Sequence, residues 1–293
     1  MGKYYPCAHS QSDRESFAIS FLNCVRNTVS CTGADVRISG FQPRSNGVAE
    51  FARGGSKSSQ QAEAVNPEQP ITQTASHNEC LDLMHRLMAY RHEPIHSELM
   101  KVRDKYSMLH LDVLILIYHF AKICSGAILE IGAFVGGATI AAAFGLRDSD
   151  QRKKLIAIEP GGSVKHKRLG TRNILRDLER NLARERVANM VTLVKGQSFK
   201  PETTLAVRQA LGSDQVGLLI LDADAAKRRD IDCYRDRFSE GSWMVIDDVY
   251  GADANEKITP SRADVDALVA EGLLESLGFY GWSTWVGRYR GGN

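Results

Sequence analysis

None of the six cysteines, at positions 7, 24, 31, 80, 124 and 233, forms a C-x-x-C pair. The local signature of a zinc site or a dithiol redox motif is therefore missing. No apolar run reaches the ~18 to 20 residues that a membrane span needs. The longest, Met108 to Cys124, is broken by His110, Asp112, His119 and Lys122. The opening MGKYYPCAHS has no apolar signal core, and Pro6 stands where a myristoylation motif needs Ser or Thr. Excess charge of one sign is also lacking. With 37 basic and 35 acidic residues the net charge is +2, too balanced to argue for a nucleic-acid partner. These absences leave a reduced, cytoplasmic setting as the expectation, with no membrane and no nucleic acid, and a homodimer as the default assembly.

What is present divides the chain into 1–92 and 93–293. The first part is polar and weakly patterned, with one short apolar piece from Phe17 to Val25. Residues 43–78 are rich in Gly, Ser, Gln, Asn and Pro. Such a stretch cannot bury enough apolar surface to offset its ordering entropy, and it reads as linker or disorder. Residues 80–92 predict an amphipathic helix with Leu81, Met84, Leu87 and Met88 on its apolar stripe. The role of 1–92 reads as an extension or a lid.

From residue 93 the pattern alternates. An apolar helix at 109–123 precedes strands at 128–133, 154–160, 191–196, 216–223 and 242–249, with helices between them. Two extended segments follow a last helix near 261–271. Short, continuous apolar strands separated by helices imply βαβ units and a parallel sheet covered on both faces. The last two strands are joined only by the Gly281–Trp282 turn, far too short for a parallel crossover, so they must pair antiparallel. The fold class is thus α/β, a Rossmann-like doubly wound sheet of seven strands, mostly parallel, with an antiparallel C-terminal hairpin.

The segment EIGAFVGG places Glu130, Gly132, Gly136 and Gly137 between the first strand and a helix of small residues. In open α/β sheets ligands bind beyond the carboxyl ends of the strands. The glycine spacing departs from the G-x-G-x-x-G of dinucleotide sites and suits a cofactor without pyrophosphate. S-adenosylmethionine (SAM), a sulfonium cation with an amino-acid tail, fits beside a carboxylate such as Glu130. Glu159, ending the second strand, can accept from both ribose hydroxyls. Gly196, Gln197 and Ser198 follow the third strand, near the adenine edge. Alternatively, Ser198 is an N-cap of the helix at Pro201.

In order, EIGAFVGG, IAIEP, VKGQS, LLILDAD and GSWMVIDDVYG resemble the motifs of class I SAM-dependent methyltransferases. They are closest to the small-molecule O-methyltransferases of the catechol O-methyltransferase and macrocin types, over about 105–290. The resemblance implies a SAM site lined by Glu130, Gly132, Gly136, Gly137, Glu159, Ser198 and Asp222. It implies a hydroxylated small molecule as acceptor, and Mg2+ held by Asp222, Asp247 and Asp248. Three carboxylates converging at the ends of neighbouring strands repel each other unless a cation or a proton intervenes. The bland alternative has Asp247 capping its strand and Asp248 facing water. In such families a Lys or His soon after the strand-four acid often serves as general base; here Ala225 and Ala226 occupy that stretch. Lys227, expected as a solvated helix-start residue, and His166, a surface-loop histidine, are the nearest substitutes, so no catalytic residue is assigned. A nicotinamide-dependent Rossmann oxidoreductase and a catalytically silent SAM-binding protein remain the competing readings.

Overall fold

The computed structural model describes residues 71–251 and 256–291. The apolar piece at 17–25 and all but the last residues of the polar stretch 43–78 lie outside them.

Seven strands form one sheet in the order β3-β2-β1-β4-β5-β7-β6. They are β1 (Ala127–Ile131), β2 (Leu155–Glu159), β3 (Val191–Lys195), β4 (Val216–Leu221), β5 (Phe238–Ile246), β6 (Leu274–Tyr280) and β7 (Thr284–Tyr289). Every residue of β1, β2 and β4 is buried, which is what near-continuous Ile, Leu, Val and Ala runs require when helices cover both faces. The first five strands pair parallel, and β7 runs antiparallel to both β5 and β6. The seven-stranded, mostly parallel sheet with an antiparallel C-terminal hairpin expected from the pattern is the one observed.

Eight α-helices are described: α1 (Ile71–Ala89), α2 (Pro94–Tyr106), α3 (Leu111–Ile123), α4 (Gly137–Arg147), α5 (Ile174–Arg184), α6 (Pro201–Leu211), α7 (Lys227–Tyr234) and α8 (Ile258–Ala270). One core on one face joins α1 to α5 to the sheet; a second on the other face holds Val207, Ile231 and Val265 of α6, α7 and α8. The strand chain order reverses between β1 and β4, and the crevice there opens at the strand carboxyl ends.

Helix α1 differs from expectation in extent and in face. It begins at Ile71, inside the stretch read as linker. The buried side chains are Cys80, Leu83 and Leu87, whereas Leu81 and Met88 are exposed. The i, i+3, i+7 stripe was shifted because an isolated polar-rich helix carries two competing apolar stripes, and only the docking surface selects one. Here Cys80 Sγ donates to Leu277 O of β6, and Glu79 pairs with Arg288 of β7. Arg288 in turn covers the Trp243 ring at 4.0 Å, and Trp243 stacks on Phe120 of α3, also at 4.0 Å. Leu83, Leu87 and Tyr90 therefore share the core on this face of the sheet, and Cys80 packs on Leu277. Among the described residues, no helix is long and apolar enough to cross a membrane.

Candidate functional site

At the carboxyl ends of β1, β2 and β4 lies a cavity of about 360 Å³. Gly132, Ala133 and Phe134 of the β1–α4 loop, Glu159, Gln197, Ser198 and Asp222 all line it. Gly132 has φ +91°, and an added Cβ would lie 2.1 Å from Asp222 O. Glycine is required there for handedness and to let the end of β4 lie against the loop. Gly137 serves a different neighbour: a Cβ would meet Ser107 at 2.5 Å. The α2–α3 connection can therefore descend onto the start of α4. Tyr106, Ser107, Met108 and Leu109 consequently form one wall of the cavity. That wall was missed in the sequence, because its residues carry no motif and precede the first strand.

Gly136 and Glu130 do not line the cavity. Gly136 starts α4 with φ +99°, and its Cβ would meet Leu178 of α5 at 2.9 Å, so its glycine serves helix packing. Glu130 lies within the sheet, 1% exposed, with neither carboxylate oxygen hydrogen-bonded. Burial pushes its carboxyl up to about 8, and repulsion from Asp222 and Glu159 adds to the shift.

Glu159 is held more firmly. Its Oε2 accepts from Phe134 N at 2.7 Å and its Oε1 from Gly161 N at 2.8 Å. Burial raises its pKa, and these two amides oppose that shift. Each oxygen keeps one lone pair, enough for one hydroxyl donor apiece. Phe134, at φ +50°, is one of three described non-glycine residues with positive φ. Strain of this kind persists where the surroundings over-determine it.

Ser198 is not the helix cap, since α6 begins after Lys200. Its hydroxyl donates to Asp230 Oδ1 at 2.7 Å, and its carbonyl accepts from Tyr234 at 2.6 Å. Arg229 binds the same Asp230 and Asp224, and lies 3.9 Å over the Phe199 ring, so the far wall is cross-braced.

Beside the cavity, Asp222, Asp247 and Asp248 bring carboxylate oxygens within 4.8 Å of one another. Parallel pairing of β4 with β5 (Leu221 opposite Ile246) produces this meeting. Asp247 does not merely cap its strand: its Oδ1 accepts from Ser283 at 2.8 Å and Thr284 at 2.6 Å. Asp248, at φ +59°, lies 3.4 Å from Lys257 Nζ. Burial and then Asp247 push the Asp222 carboxyl up to about 7, while Lys227 pulls it down. Lys227 is not solvated; it is 0% exposed, and its Nζ has no hydrogen-bond partner. Burial lowers its pKa, and the three aspartates oppose that shift. It does not reach the cavity wall, so it acts on the carboxylates from beneath. His166 sits on an exposed loop outside the cavity.

Residues 129–249 match the family described as Methyltransferase domain. No curated protein matches the chain in sequence. Among solved structures it is similar to cofactor-bound Rv0187 from MTB, at 16% identity, TM-score 0.50, covering 69% of this chain and 91% of that one. It is also similar to the O-methyltransferase TomG from Streptomyces achromogenes in complex with SAM, at 16% identity and TM-score 0.49, covering 68% and 91%. A third is the SAH-bound methyltransferase PaMTH1 from Podospora anserina, at 14% identity and TM-score 0.48, covering 78% and 100%. At these identities the likeness to solved structures speaks to the fold alone. Residues 129–249 thus match a methyltransferase domain, and the sheet with its reversed seventh strand is that of the Rossmann-like methyltransferase fold.

Proposed function

We propose that the domain transfers the methyl group of SAM to a hydroxyl oxygen of a small molecule, with a divalent cation, Mg2+ in the first instance, assisting. The observation that supports this reading is the three-carboxylate cluster, whose Asp222 also lines the cavity. A nitrogen or carbon acceptor gives no reason to gather three hard oxygen donors at that point.

The donor set fits a hard cation: all its ligands are oxygens. Burial raises the Asp222 pKa first, and repulsion from Asp247 adds to it, which a cation at this point would relieve. Asp222, Asp247 and Asp248 would hold the ion. When bound, it supplies Lewis acidity that lowers the pKa of an acceptor hydroxyl.

The rest is done by the chain itself. Gly132 to Phe134, Glu159, Gln197 and Ser198 form the cofactor side, with Glu159 as acceptor for the ribose diol. Ser283 and Thr284 fix Asp247, so the cluster is oriented before a ligand arrives. Lys227, buried beside the cluster, opposes the upward shift of the Asp222 carboxyl. Met108 lines the cavity and stays exposed; Trp282 is also exposed, its ring 5.1 Å from that of His110. Trp285 and Tyr280 of the same hairpin are core residues. The site holds the reacting oxygen and the methyl donor in one frame, where positioning carries much of the rate.

The test is transfer of label from methyl-labelled SAM to a panel of hydroxylated aromatics and sugars. Label should appear with Mg2+ and vanish with chelator. Asp222→Ala and Asp247→Ala should each lose about 100-fold or more in metal-stimulated turnover, on the order of 3 kcal/mol. Full activity of both variants in chelator overturns the metal assignment. Label arriving on an amine and on no hydroxyl overturns the acceptor assignment.

A further inference from the structure

Between β2 and α5 the chain runs PGGSVKHKRLGTRNILR, residues 160–176, with five cationic residues and His166 but no Asp or Glu. In a chain whose charges otherwise nearly cancel, this run is exceptional. Its shape is fixed. Val164 N donates to Thr171 O at 2.9 Å and Thr171 N to Val164 O at 2.8 Å, closing a small hairpin. Thr171 Oγ1 donates to Asp177 Oδ2 at 2.6 Å and accepts from Asn173 N at 3.1 Å, pinning its base. Arg168 donates to Ser107 O at 2.6 Å, tying the tip to the cavity wall.

The cations then divide into two groups. Arg168 is used on Ser107, and Arg176 and Arg180 are both held by Asp177. Lys165, Lys167 and Arg172 are exposed and form no ion pair with any described residue. They line one cleft together with Ser163, His166 and Thr171. His166 Nδ1 accepts from Leu169 N at 3.1 Å and Arg168 N at 3.3 Å. With Nδ1 as acceptor the neutral ring carries its proton on Nε2, leaving that atom free to donate. Val164 lines both this cleft and the cofactor cavity.

We infer that this hairpin is an anion-binding site for a phosphate-type dianion, formed by Lys165, Lys167 and Arg172 with His166 and Ser163 as further donors. Cations combined with oriented N–H and O–H donors are the chemistry that recognises such groups. The cluster is compact, because the next two arginines along α5 are already neutralised. It suits one phosphate group and not a strand of them. Its junction with the cavity at Val164 and Ser107 lets a ligand anchored here extend its body to the cofactor mouth. The dianion is either free phosphate or a phosphate carried by the acceptor.

The site does not depend on methyl transfer, so the binding test does not either. Inorganic phosphate is titrated calorimetrically, at low ionic strength, into the full chain and into a triple variant, Lys165→Gln with Lys167→Gln and Arg172→Gln. All three side chains are exposed, so the variant should keep its melting temperature and its SAM-induced thermal stabilisation. The expected result is phosphate binding in the wild type that weakens at least tenfold in the variant. A single variant, His166→Ala, should weaken it about threefold. Equal phosphate affinity in wild type and triple variant overturns the inference, as does absence of binding to either. With binding established, a lower KM for 4-hydroxyphenyl phosphate than for hydroquinone assigns the dianion to the acceptor. Equal KM values assign it to free phosphate.

Discussion

The ends of β1 and β2 and the ends of β4 and β5 lie side by side on one sheet edge, yet their polar groups are treated differently. On the first side, Glu159 has both oxygens bonded to backbone amides and Ser198 is locked to Asp230. On the second, three carboxylates meet within 4.8 Å, and the buried Lys227 beneath them bonds to none. The first side is complete and presents remaining lone pairs in fixed directions, as a preorganised cofactor site should. The second is electrostatically unfinished, and a group arriving there gains most. Preorganisation on one side and residual charge on the other separate binding from chemistry.

The sharpest way to break this contrast is at the point where the halves touch. Gly132→Val places a branched side chain against Asp222 O in a backbone region closed to it. It should cost about 4 kcal/mol or more and lower the melting temperature by roughly 10 °C, with SAM stabilisation lost. A variant that melts normally and still binds SAM contradicts the close approach of the two halves.

Glu130 probes the interior beneath them. Its carboxyl, pushed up to about 8, keeps a proton in the native state that an unfolded chain releases near pH 4.5. Stability should therefore be full below about pH 4.5, fall as pH rises, and level off above about pH 8. The loss is on the order of 5 kcal/mol. Glu130→Gln mimics the protonated acid and should flatten this part of the profile. Denaturant midpoints at pH 5 and pH 8 measure it, and an unchanged difference between them refutes the assignment.

Lys227→Met sharpens the unfinished side. Removing an unpaired buried ammonium should leave stability unchanged or raise it by about 1 to 2 kcal/mol, while turnover drops about tenfold. A variant that is both less stable and fully active shows that Lys227 is held by a bond not seen in this arrangement.

The strands and the reversed pairing of the last two were readable because burial on both faces leaves unbroken apolar runs, and the three-residue connection 281–283 leaves no room for a crossover. The residues at strand ends, Glu159, Asp222, Asp247 and Asp248, were readable for the same reason: a strand's end fixes where its next side chain goes. What escaped depended on packing between distant segments. Helix α1 chose Cys80, Leu83 and Leu87 as its inner face only through contact with β6 and β7. The Tyr106–Leu109 wall exists because Gly137 admits Ser107. Lys227 looked like a surface residue because its sequence neighbours are charged, and only the closure of α7 against the sheet buries it. Gly136 looked like a cofactor contact, yet its neighbour is Leu178.

The central claim, that the crevice between the β1–α4 loop and Glu159 accepts SAM, is tested most directly by calorimetric titration of SAM and of NAD into the wild type and Glu159→Ala. One equivalent of SAM should bind the wild type, NAD should give no heat of binding, and the variant, still folded by circular dichroism, should bind SAM at least tenfold more weakly. Equal SAM affinity in both proteins, or saturable binding of NAD in place of SAM, contradicts it.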